Sequence, residues 1–424
     1  MMNSKGTPHT SRIFYGWYIL AASFVILFLT SGARFTIGVA FKPVMAEFGW
    51  DRGFISLAFF LNMTIYALSI IIAGRAYDRY GPKWVIIISN IFLSSGFMSL
   101  AYIDSSFEFF IFYGILAALG MGGTTVPLFA ALTSKWFEKS RGLAVSLGLA
   151  GSCIGQFVLV PLFTILVMRH GWRVSYFCLG ITMLVIIMAL VFWVIKGDPI
   201  DLGLHPWGHQ NGVVLQEEMA QKPVALELRD LGLTDAMKTY SFWLFLTFMF
   251  ICGSGDFMVT THLIPMVTDY DILPATAGNM LAWLGLMSLA GILIAGSVSD
   301  KIGAKIPIAL TFLIRFVLFL LFLKYQSVIS FYVFACTFGF TLLVTAPLTV
   351  ILVGRLYGFS HIGLISGFIT TVHHIGGGCL TYIAGEIFDR TGSYNMAFIL
   401  SAIMAFIAVL CTVFIKEKRH QVPS

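Results

Sequence analysis

Charged residues are scarce in this sequence. Only 11% of the 424 residues are Asp, Glu, Lys or Arg, whereas a soluble domain averages about 25%. With 58% hydrophobic residues, this scarcity excludes an ordinary soluble domain and predicts an integral membrane protein. The net charge of +6 does not predict a nucleic-acid binder, because no basic patch is interleaved with aromatic residues.

Motifs of reactive sites are also missing. The six cysteines lie in apolar stretches and none forms a CxxC pair, so we expect neither disulfides nor zinc. The sequence contains no GxxxxGK[ST] loop, no nucleophile elbow and no HExxH. We therefore expect no enzyme, no ATP-driven pump, no cofactor and no bound metal.

Long apolar stretches dominate the chain instead. The first six lie at about 15–42, 54–77, 84–103, 108–133, 142–168 and 173–195. Six more lie at about 240–267, 276–299, 306–324, 328–353, 362–387 and 395–415. Each is long enough for a helix across a bilayer core of about 30 Å, and such continuous spans are helices rather than barrel strands. The first is too long for the apolar region of a signal peptide.

These stretches predict an all-α membrane protein with twelve transmembrane helices. We expect an N-terminal six-helix bundle at 1–195, a linker loop at 196–239 and a C-terminal six-helix bundle at 240–424. Most of the 26 Lys and Arg residues fall on the side of the termini. By the positive-inside rule, both termini and the linker lie in the cytoplasm, and the chain crosses the cell's inner (plasma) membrane many times.

The two halves of the sequence repeat each other at a shift of about 222 residues. The clearest copy is GRAYDRYGPK, which returns in the second half as GSVSDKIGAK. The shared positions are Gly74, Asp78, Arg79, Gly81 and Lys83 in the first copy, and Gly296, Asp300, Lys301, Gly303 and Lys305 in the second. Both copies follow the second helix of a half.

This doubled motif resembles the loop signature of the major facilitator superfamily, and the resemblance covers essentially the whole chain. It implies two pseudo-symmetric six-helix bundles around a central cavity, with alternating access between its two sides. In physical terms, glycine lets helices approach closely, while the Asp and Arg can hold a gate through charge-assisted bonds. We therefore expect these residues to form a gating motif.

A closer resemblance is to the bacterial branch of monocarboxylate and oxalate/formate transporters. The segments FYGWYIL, GVAFKP, EFGW, HLIP and FDRTGSY carry it. Members of that branch often have a basic residue in the eighth helix, whereas residues 276–299 contain none. Arg34 lies near the place where monocarboxylate transporters have a first-helix lysine, so it is the candidate anion anchor.

Arg34 is a full positive charge inside the first span, which costs roughly 2.5 to 3.5 kcal/mol. The repeat shift places it opposite Asp256, just as it relates Pro43 to Pro265. We expect the two side chains to face one cavity, with an anion site at Arg34 and proton coupling at Asp256. The alternative is a static ion pair between the bundles. No partner is predicted for Arg315 in the ninth span.

Several polar residues inside the spans are candidates for binding the substrate. His262 lies beyond Asp256 on the same helix and can bind an anion, relay protons or form an interfacial hydrogen bond. Of the adjacent histidines 373 and 374, at most one faces the cavity squarely. Interhelical hydrogen bonding is the alternative role for all of these side chains. The candidate substrate-binding set is Arg34, Asn62, Tyr66, Tyr113, Gln156, His262 and His374.

Three functions fit these features. The leading hypothesis is a secondary active transporter of a small organic anion, such as the monocarboxylates lactate or pyruvate, coupled to protons. Its partners would be the anion, the proton and the lipid bilayer, with no nucleic acid, and the chain would act as a monomer. The alternatives are efflux of an amphipathic drug or cation by proton antiport, with Asp256 as the cation site, and a membrane sensor that does not transport.

Overall fold

The computed structural model describes residues 14–139, 141–208, 231–358 and 362–416. These residues are almost entirely helical, and the one β-bridge among them joins Phe137 to Trp207. Residues 209–230 of the predicted linker lie outside the described part of the chain, as do the side chains of Gly296 and Asp300.

The first half contains six spans, which we number in chain order. The first span consists of the helices Tyr15–Arg34 and Thr36–Phe48, which are interrupted at Phe35. The helix Arg52–Leu100 contains the second and third spans, and Arg141–Trp193 contains the fifth and sixth. The fourth span is built from Ser106–Phe109, the π-helix Phe110–Ala117, Ala118–Met121, the 3₁₀ turn Gly122–Thr124 and Val126–Trp136.

The second half follows the same plan. Its seventh, eighth and ninth spans are Tyr240–Thr268, Pro274–Ile302 and Lys305–Lys324. The tenth consists of Val328–Leu342 and Thr345–Tyr357, and the last two are Ile362–Thr391 and Asn395–Phe414. Between the halves lie only the short helices Pro199–Leu202 and Leu233–Ala236 within the described residues.

The number of spans agrees with the prediction. Nine helices in the described chain are long and apolar enough to cross a membrane. Two of these nine are bent at Gly81 and Gly171 and therefore supply two spans each. The helix Ile362–Thr391, with 30 residues, adds the twelfth. We call the side of Tyr15 and Phe414 the terminal side and the opposite side the far side.

Turn glycines confirm the internal repeat in the backbone itself. Gly81 has φ of +78° and its repeat partner Gly303 has +82°. Gly171 and Gly392, which are also related by the repeat, have +79° and +69°. A left-handed φ is open to glycine at little steric cost, so these residues allow the chain to reverse sharply between consecutive spans. The glycine at the eighth position of the motif is therefore needed for backbone conformation.

Two further pairs obey the same shift. Gly49 and Asp271 both have positive φ, at +68° and +56°. Asp271 is the only residue other than glycine with this conformation in the described chain. Ser105 and Ser327 each begin a helix with a capping box. Both halves thus use the same local devices to begin and end their helices.

The bundles are in close contact on the far side. There the second span lies against the eleventh, so that a Cβ on Gly385 would stand 2.7 Å from Ser56 Oγ, and one on Gly378 would stand 2.7 Å from Phe60. The fifth and eighth spans meet in the same way at Gly278, where a Cβ would lie 2.6 Å from Thr164. One hydrophobic core accordingly runs through both halves.

On the terminal side the bundles are separated. Gly74 of the second span, Gly142 of the fifth and Gly367 of the eleventh have open space where a Cβ would stand. A second hydrophobic core on this side contains only residues of the second half, from Ala236 to Ile415. The close helix approach expected at Gly74 is therefore not formed in this conformation, and the space between the bundles opens towards the terminal side.

The connection between the halves is fastened at both of its described ends. The Trp207 backbone N–H donates to the Trp136 carbonyl at 2.8 Å, and the Trp207 carbonyl accepts from Glu138 and Lys139. Leu231 donates to the Tyr357 carbonyl at 2.9 Å. The two ends are thus bound to different bundles.

Candidate functional site

Arg34 lies between the bundles, at the point where the first span is interrupted. Its guanidinium carbon stands 4.6 Å from the ring centre of Tyr66 in the first half and 4.8 Å from that of Phe257 in the second. The side chain is half-buried. Contact with aromatic rings from both halves places the cation in the space between the bundles.

The donors of Arg34 are almost unused. Its nearest polar contact is the thioether sulfur of Met63, 3.3 Å from Nη2, and thioether sulfur is a weak acceptor. Nε is buried without a hydrogen-bond partner. Within the described residues Arg34 forms no ion pair. Cation–π contacts supply about 0.5 to 2 kcal/mol each, which leaves the hydrogen-bonding capacity of the fork free for an anion.

The position of Arg34 along the membrane normal matches an approach from the terminal side. The contact between the second and eleventh spans continues as far as Tyr66 and His374, whose rings are 4.8 Å apart. Beyond this pair, Gly74 and Gly367 have open space around them. Arg34, stacked on Tyr66, therefore lies where the two bundles begin to diverge.

Asp256 is not paired with Arg34, contrary to the expectation that the two face each other. Its carboxylate instead contacts Arg315, with Nη1 2.8 Å from Oδ1. Arg315 is buried, and it also donates to the hydroxyl and the carbonyl of Thr341 at 3.0 and 2.9 Å. The repeat relates helix positions rather than side-chain directions. Asp256 points into its own bundle, where Arg315 is its partner. The sequence did not reveal this pair.

Two more reactive side chains adjoin this pair. Cys252 Sγ lies 3.5 Å and His373 Nε2 lies 3.8 Å from Asp256 Oδ2. The ligand atoms of these three residues are all within 4.8 Å of one another, a convergence that sequence spacing did not predict. Arg315 Nη1 already lies 2.8 Å from the carboxylate and 3.7 Å from the sulfur, so a guanidinium supplies the positive charge here, and we assign no metal.

His262 does not stand at an open mouth. Its Nδ1 is 2.9 Å from the Tyr394 hydroxyl, and its Nε2 is 2.9 Å from the Thr381 carbonyl and 3.3 Å from the Ser56 hydroxyl. Ser56 belongs to the first half and the other two to the second. The buried imidazole is thus a hydrogen-bonding group in the closed interface, one of the three roles that the sequence allows for it.

A network of charges closes the far side, and sequence reasoning missed it. Arg52 donates to both carboxylate oxygens of Asp269 at 2.7 and 2.8 Å, and Lys42 contacts the same carboxylate at 2.6 Å. Arg52 also donates to the Tyr394 hydroxyl at 2.9 Å. Asp389 accepts from the backbone N–H groups of Arg52 and Gly53. These bonds cross from the first half to the second, and we call these residues the far-side lock.

One feature of the sequence pointed to this lock. Lys42 and Arg52 are among the few basic residues that the topology places on the far side. In the structure both of them contact Asp269.

The other predicted site residues are divided between the cavity and the packing. Tyr66 and His374 lie together beside Arg34. Asn62 donates to the Tyr113 carbonyl at 2.6 Å within the first bundle. Gln156 donates at 3.0 Å to the Leu281 carbonyl across the bundle interface. The structure thus brings three of the candidates together at one point.

The motif residues on the terminal side are disengaged in this structure. Asp78, Arg79 and Lys301 are exposed. Asp78 forms no ion pair within the described chain, and Arg79 stacks on Tyr80 with 5.2 Å between the guanidinium and the ring centre. Lys83 lies 5.4 Å from the Phe192 ring centre. These two ring contacts both lie within the first half, whereas the far-side lock joins the two halves.

Two repeated helical bundles, an unpaired central cation and access from one side define an integral membrane transporter. The family model described as "Major Facilitator Superfamily" matches residues 23–267 and 243–424, and the chain belongs to this family. Its members are transporters rather than enzymes, in agreement with the missing catalytic motifs.

Several curated proteins are similar over almost the whole chain. An uncharacterized MFS-type transporter, YcxA of Bacillus subtilis, is 24% identical, with 96% of this chain and 98% of the relative covered. Monocarboxylate transporter 13 of Rattus norvegicus is 22% identical over 91% and 86%. The oxalate:formate antiporter of Oxalobacter formigenes is 22% identical over 98% and 95%.

Solved structures support the fold. A mutant of the nucleoside transporter NupG has a TM-score of 0.74 at 11% identity, with 95% of this chain and 99% of that chain covered. A D-xylose-proton symporter has a TM-score of 0.72 at 12% identity, with 96% and 100% covered. At such low identity these likenesses concern the architecture alone.

Proposed function

We propose that this secondary transporter carries a small organic anion, specifically a monocarboxylate such as lactate or pyruvate, together with a proton. Arg34 binds the carboxylate, and Tyr66 and His374 form the wall beside it. Asp256 takes part in the proton coupling. The substrate reaches Arg34 from the terminal side in the present conformation and from the far side when the lock opens.

The observation that carries this proposal is the unused guanidinium fork of Arg34. An arginine presents five donors in a plane that fits a carboxylate through two parallel bonds. Among the described residues, its contacts are two ring faces and a thioether. A half-buried cation so poorly satisfied is unfavourable by itself, and a carboxylate ligand would satisfy it.

Arg315 shows what a structural arginine looks like in the same chain. It has a carboxylate at 2.8 Å and two further bonds to Thr341. Its side chain is only 2% exposed. The contrast between the two intramembrane arginines favours a binding role for Arg34 and a stabilising role for Arg315.

The same contrast weighs against efflux of a drug or cation. That alternative places the cation on Asp256, but Arg315 already neutralises this carboxylate. A positively charged substrate near Arg34 would be repelled. The names of the curated relatives, which include monocarboxylate transporters and an oxalate:formate antiporter, support an anion as well.

We further propose that the chain lies in the inner (plasma) membrane as a monomer, with its termini in the cytoplasm. The excess of Lys and Arg on the terminal side supports this orientation. The terminal-side opening would then face the cytoplasm.

The test is uptake into proteoliposomes of radiolabelled lactate, pyruvate, formate and oxalate, with and without an inward proton gradient. We expect uptake of at least one monocarboxylate and stimulation by the gradient. Arg34→Gln should reduce uptake about 30-fold or more, because losing one partner of a buried charge pair costs about 2 to 5 kcal/mol.

The matched control is Arg169→Gln, which removes an exposed arginine at the far end of the fifth span and should leave uptake unchanged. Unaltered uptake by Arg34→Gln would show that Arg34 is not the anion site. If the wild-type protein transports none of the four anions, the proposed function is wrong.

A further inference from the structure

The candidate proton acid, Asp256, is held by Arg315 and has little access to water. Its side chain is 8% exposed and that of Arg315 is 2% exposed, whereas the side chain of His373 is 16% exposed. His373 also contacts Asp256 directly. It is therefore the more accessible titratable group of this cluster, yet the mechanism outlined above does not use it.

The seventh and eleventh spans position His373 by an unusually close approach. The His373 carbonyl occupies the place where a Cβ on Gly253 would stand, so only glycine permits this helix spacing. The imidazole is thereby held against the Phe257 ring, with 5.7 Å between ring centres. The guanidinium carbon of Arg34 lies 4.8 Å from the centre of the same Phe257 ring. Phe257 thus connects the anion site to the histidine.

The two ring nitrogens of His373 have different surroundings. Nδ1 is buried and has no hydrogen-bond partner within the described residues. If Nδ1 carries the proton of the neutral ring, the lone pair of Nε2 faces Asp256 Oδ2 at 3.8 Å. This separation is too long for a hydrogen bond, so the neutral ring leaves an unfilled proton position beside the carboxylate.

The charges around the ring decide when this position is filled. The groups that face His373 are Arg34 of the first span, Cys252 and Asp256 of the seventh, Arg315 of the ninth and His374 beside it. Two of these are fixed cations and one is a carboxylate. Without an anion on Arg34, an added proton would meet net repulsion. A carboxylate bound to Arg34 removes that excess positive charge.

We infer that His373 is the group through which the coupling proton enters, and that it holds this proton on Nε2 against Asp256 when an anion is bound to Arg34. The proton adds to the Nε2 lone pair from water in the cavity, and no other bond breaks. The resulting imidazolium donates to Asp256 Oδ2, while Arg315 keeps its bonds to Thr341. This inference rests on the proposed anion site and names the proton-binding residue that works with it.

Linkage gives the sign of the effect. If anion binding favours protonation of His373, protonation must favour anion binding by the same factor. Anion affinity should therefore rise as the pH falls. Because the anion and the proton stabilise the same loaded state, both would cross the membrane in the same direction.

The experiment measures proton uptake when an anion binds. Purified full-length protein in weakly buffered detergent solution, with a pH-indicator dye, receives lactate, pyruvate, formate and oxalate in turn. Anion binding is followed separately by thermal shift. The test variant is His373→Gln, which keeps a donor towards Asp256 but cannot titrate. The matched control is His170→Gln, which removes an exposed histidine at the far end of the fifth span.

We expect His373→Gln to retain anion binding while its proton uptake falls below about a tenth of the wild-type value. His170→Gln should retain proton uptake. His373→Asn serves as a second variant if the glutamine does not fold. Wild-type proton uptake in a folded His373 variant would overturn the inference while leaving the anion site intact. Absence of anion binding by the wild type would instead overturn the proposed function, and the inference with it.

Discussion

The far-side lock offers a direct test of how this structure is held in one conformation. Asp269 accepts two bonds from Arg52 and contacts Lys42. We predict that Asp269→Asn shifts the protein towards a conformation that is open on the far side. The substitution keeps the size of the side chain but removes the charge that both cations share.

The magnitude follows from the burial of the partners. The Arg52 side chain is 6% exposed in the closed interface. Removing the partner of a buried charge costs about 3 to 5 kcal/mol. Only the closed conformation bears this cost, because opening the far side hydrates Arg52 and Lys42. At about 1.4 kcal/mol per factor of ten, a shift of 3 kcal/mol would change the ratio of closed to open protein by about 100-fold.

The assay is double electron–electron resonance, which measures the distribution of distances between two spin labels on the far side. Residues 169 and 325 are exposed there, in different halves. Labels attached through unnatural amino acids at these positions leave the native cysteines in place. We expect a longer distance to appear, or to gain population, in Asp269→Asn.

The control is Arg390→Gln, which breaks the exposed ion pair between Arg390 and Glu386 on the same side. Arg390 is 80% exposed, and exposed pairs contribute at most about 1 kcal/mol. Its distance distribution should match that of the wild type. If Asp269→Asn also matches the wild type, the charges do not hold the far side closed, and our reasoning about the lock is refuted.

Two further predictions concern stability. Arg315→Gln should lower the free energy of unfolding by about 3 kcal/mol because it leaves Asp256 buried without its partner, and adding Asp256→Asn should restore part of the loss. Thermal unfolding of the two single variants and the double variant would show whether the two effects interact. Strictly additive losses would contradict the pairing. Gly81→Ala and Gly303→Ala should each lower the free energy of unfolding by about 1 to 2 kcal/mol, since alanine is strained at positive φ. We expect similar losses in melting temperature for the two variants. An unchanged melting temperature for either variant would contradict the turn assignment. Uptake by Arg34→Gln, described above, tests the binding site itself.

The local properties of the chain could be predicted from the sequence because they depend on composition and short-range rules. The spans follow from the lengths of the apolar stretches, and the repeat follows from the spacing around Asp78 and Asp300. The structure adds that Gly81 and Gly303 share one backbone conformation. Such features are set by neighbouring residues, so each half reveals them independently of the other.

The pairing of the charges inside the membrane could not be predicted from such local rules. The sequence predicts that Arg34 and Asp256 face one cavity, and it predicts no partner for Arg315. In the structure Asp256 forms an ion pair with Arg315, and Arg34 is left with aromatic faces. A repeat fixes which helix positions correspond, but the direction of a side chain depends on how the helices are rotated and packed.

The sequence by itself determined that this is a twelve-span membrane protein of two related halves with a costly cation in the first span, because hydrophobicity and spacing are properties of the chain. Only the tertiary structure decided which charge meets which, that the far side is locked through Asp269, and that the terminal side is open. Those outcomes depend on contacts between residues that are hundreds of positions apart, and no local pattern encodes them.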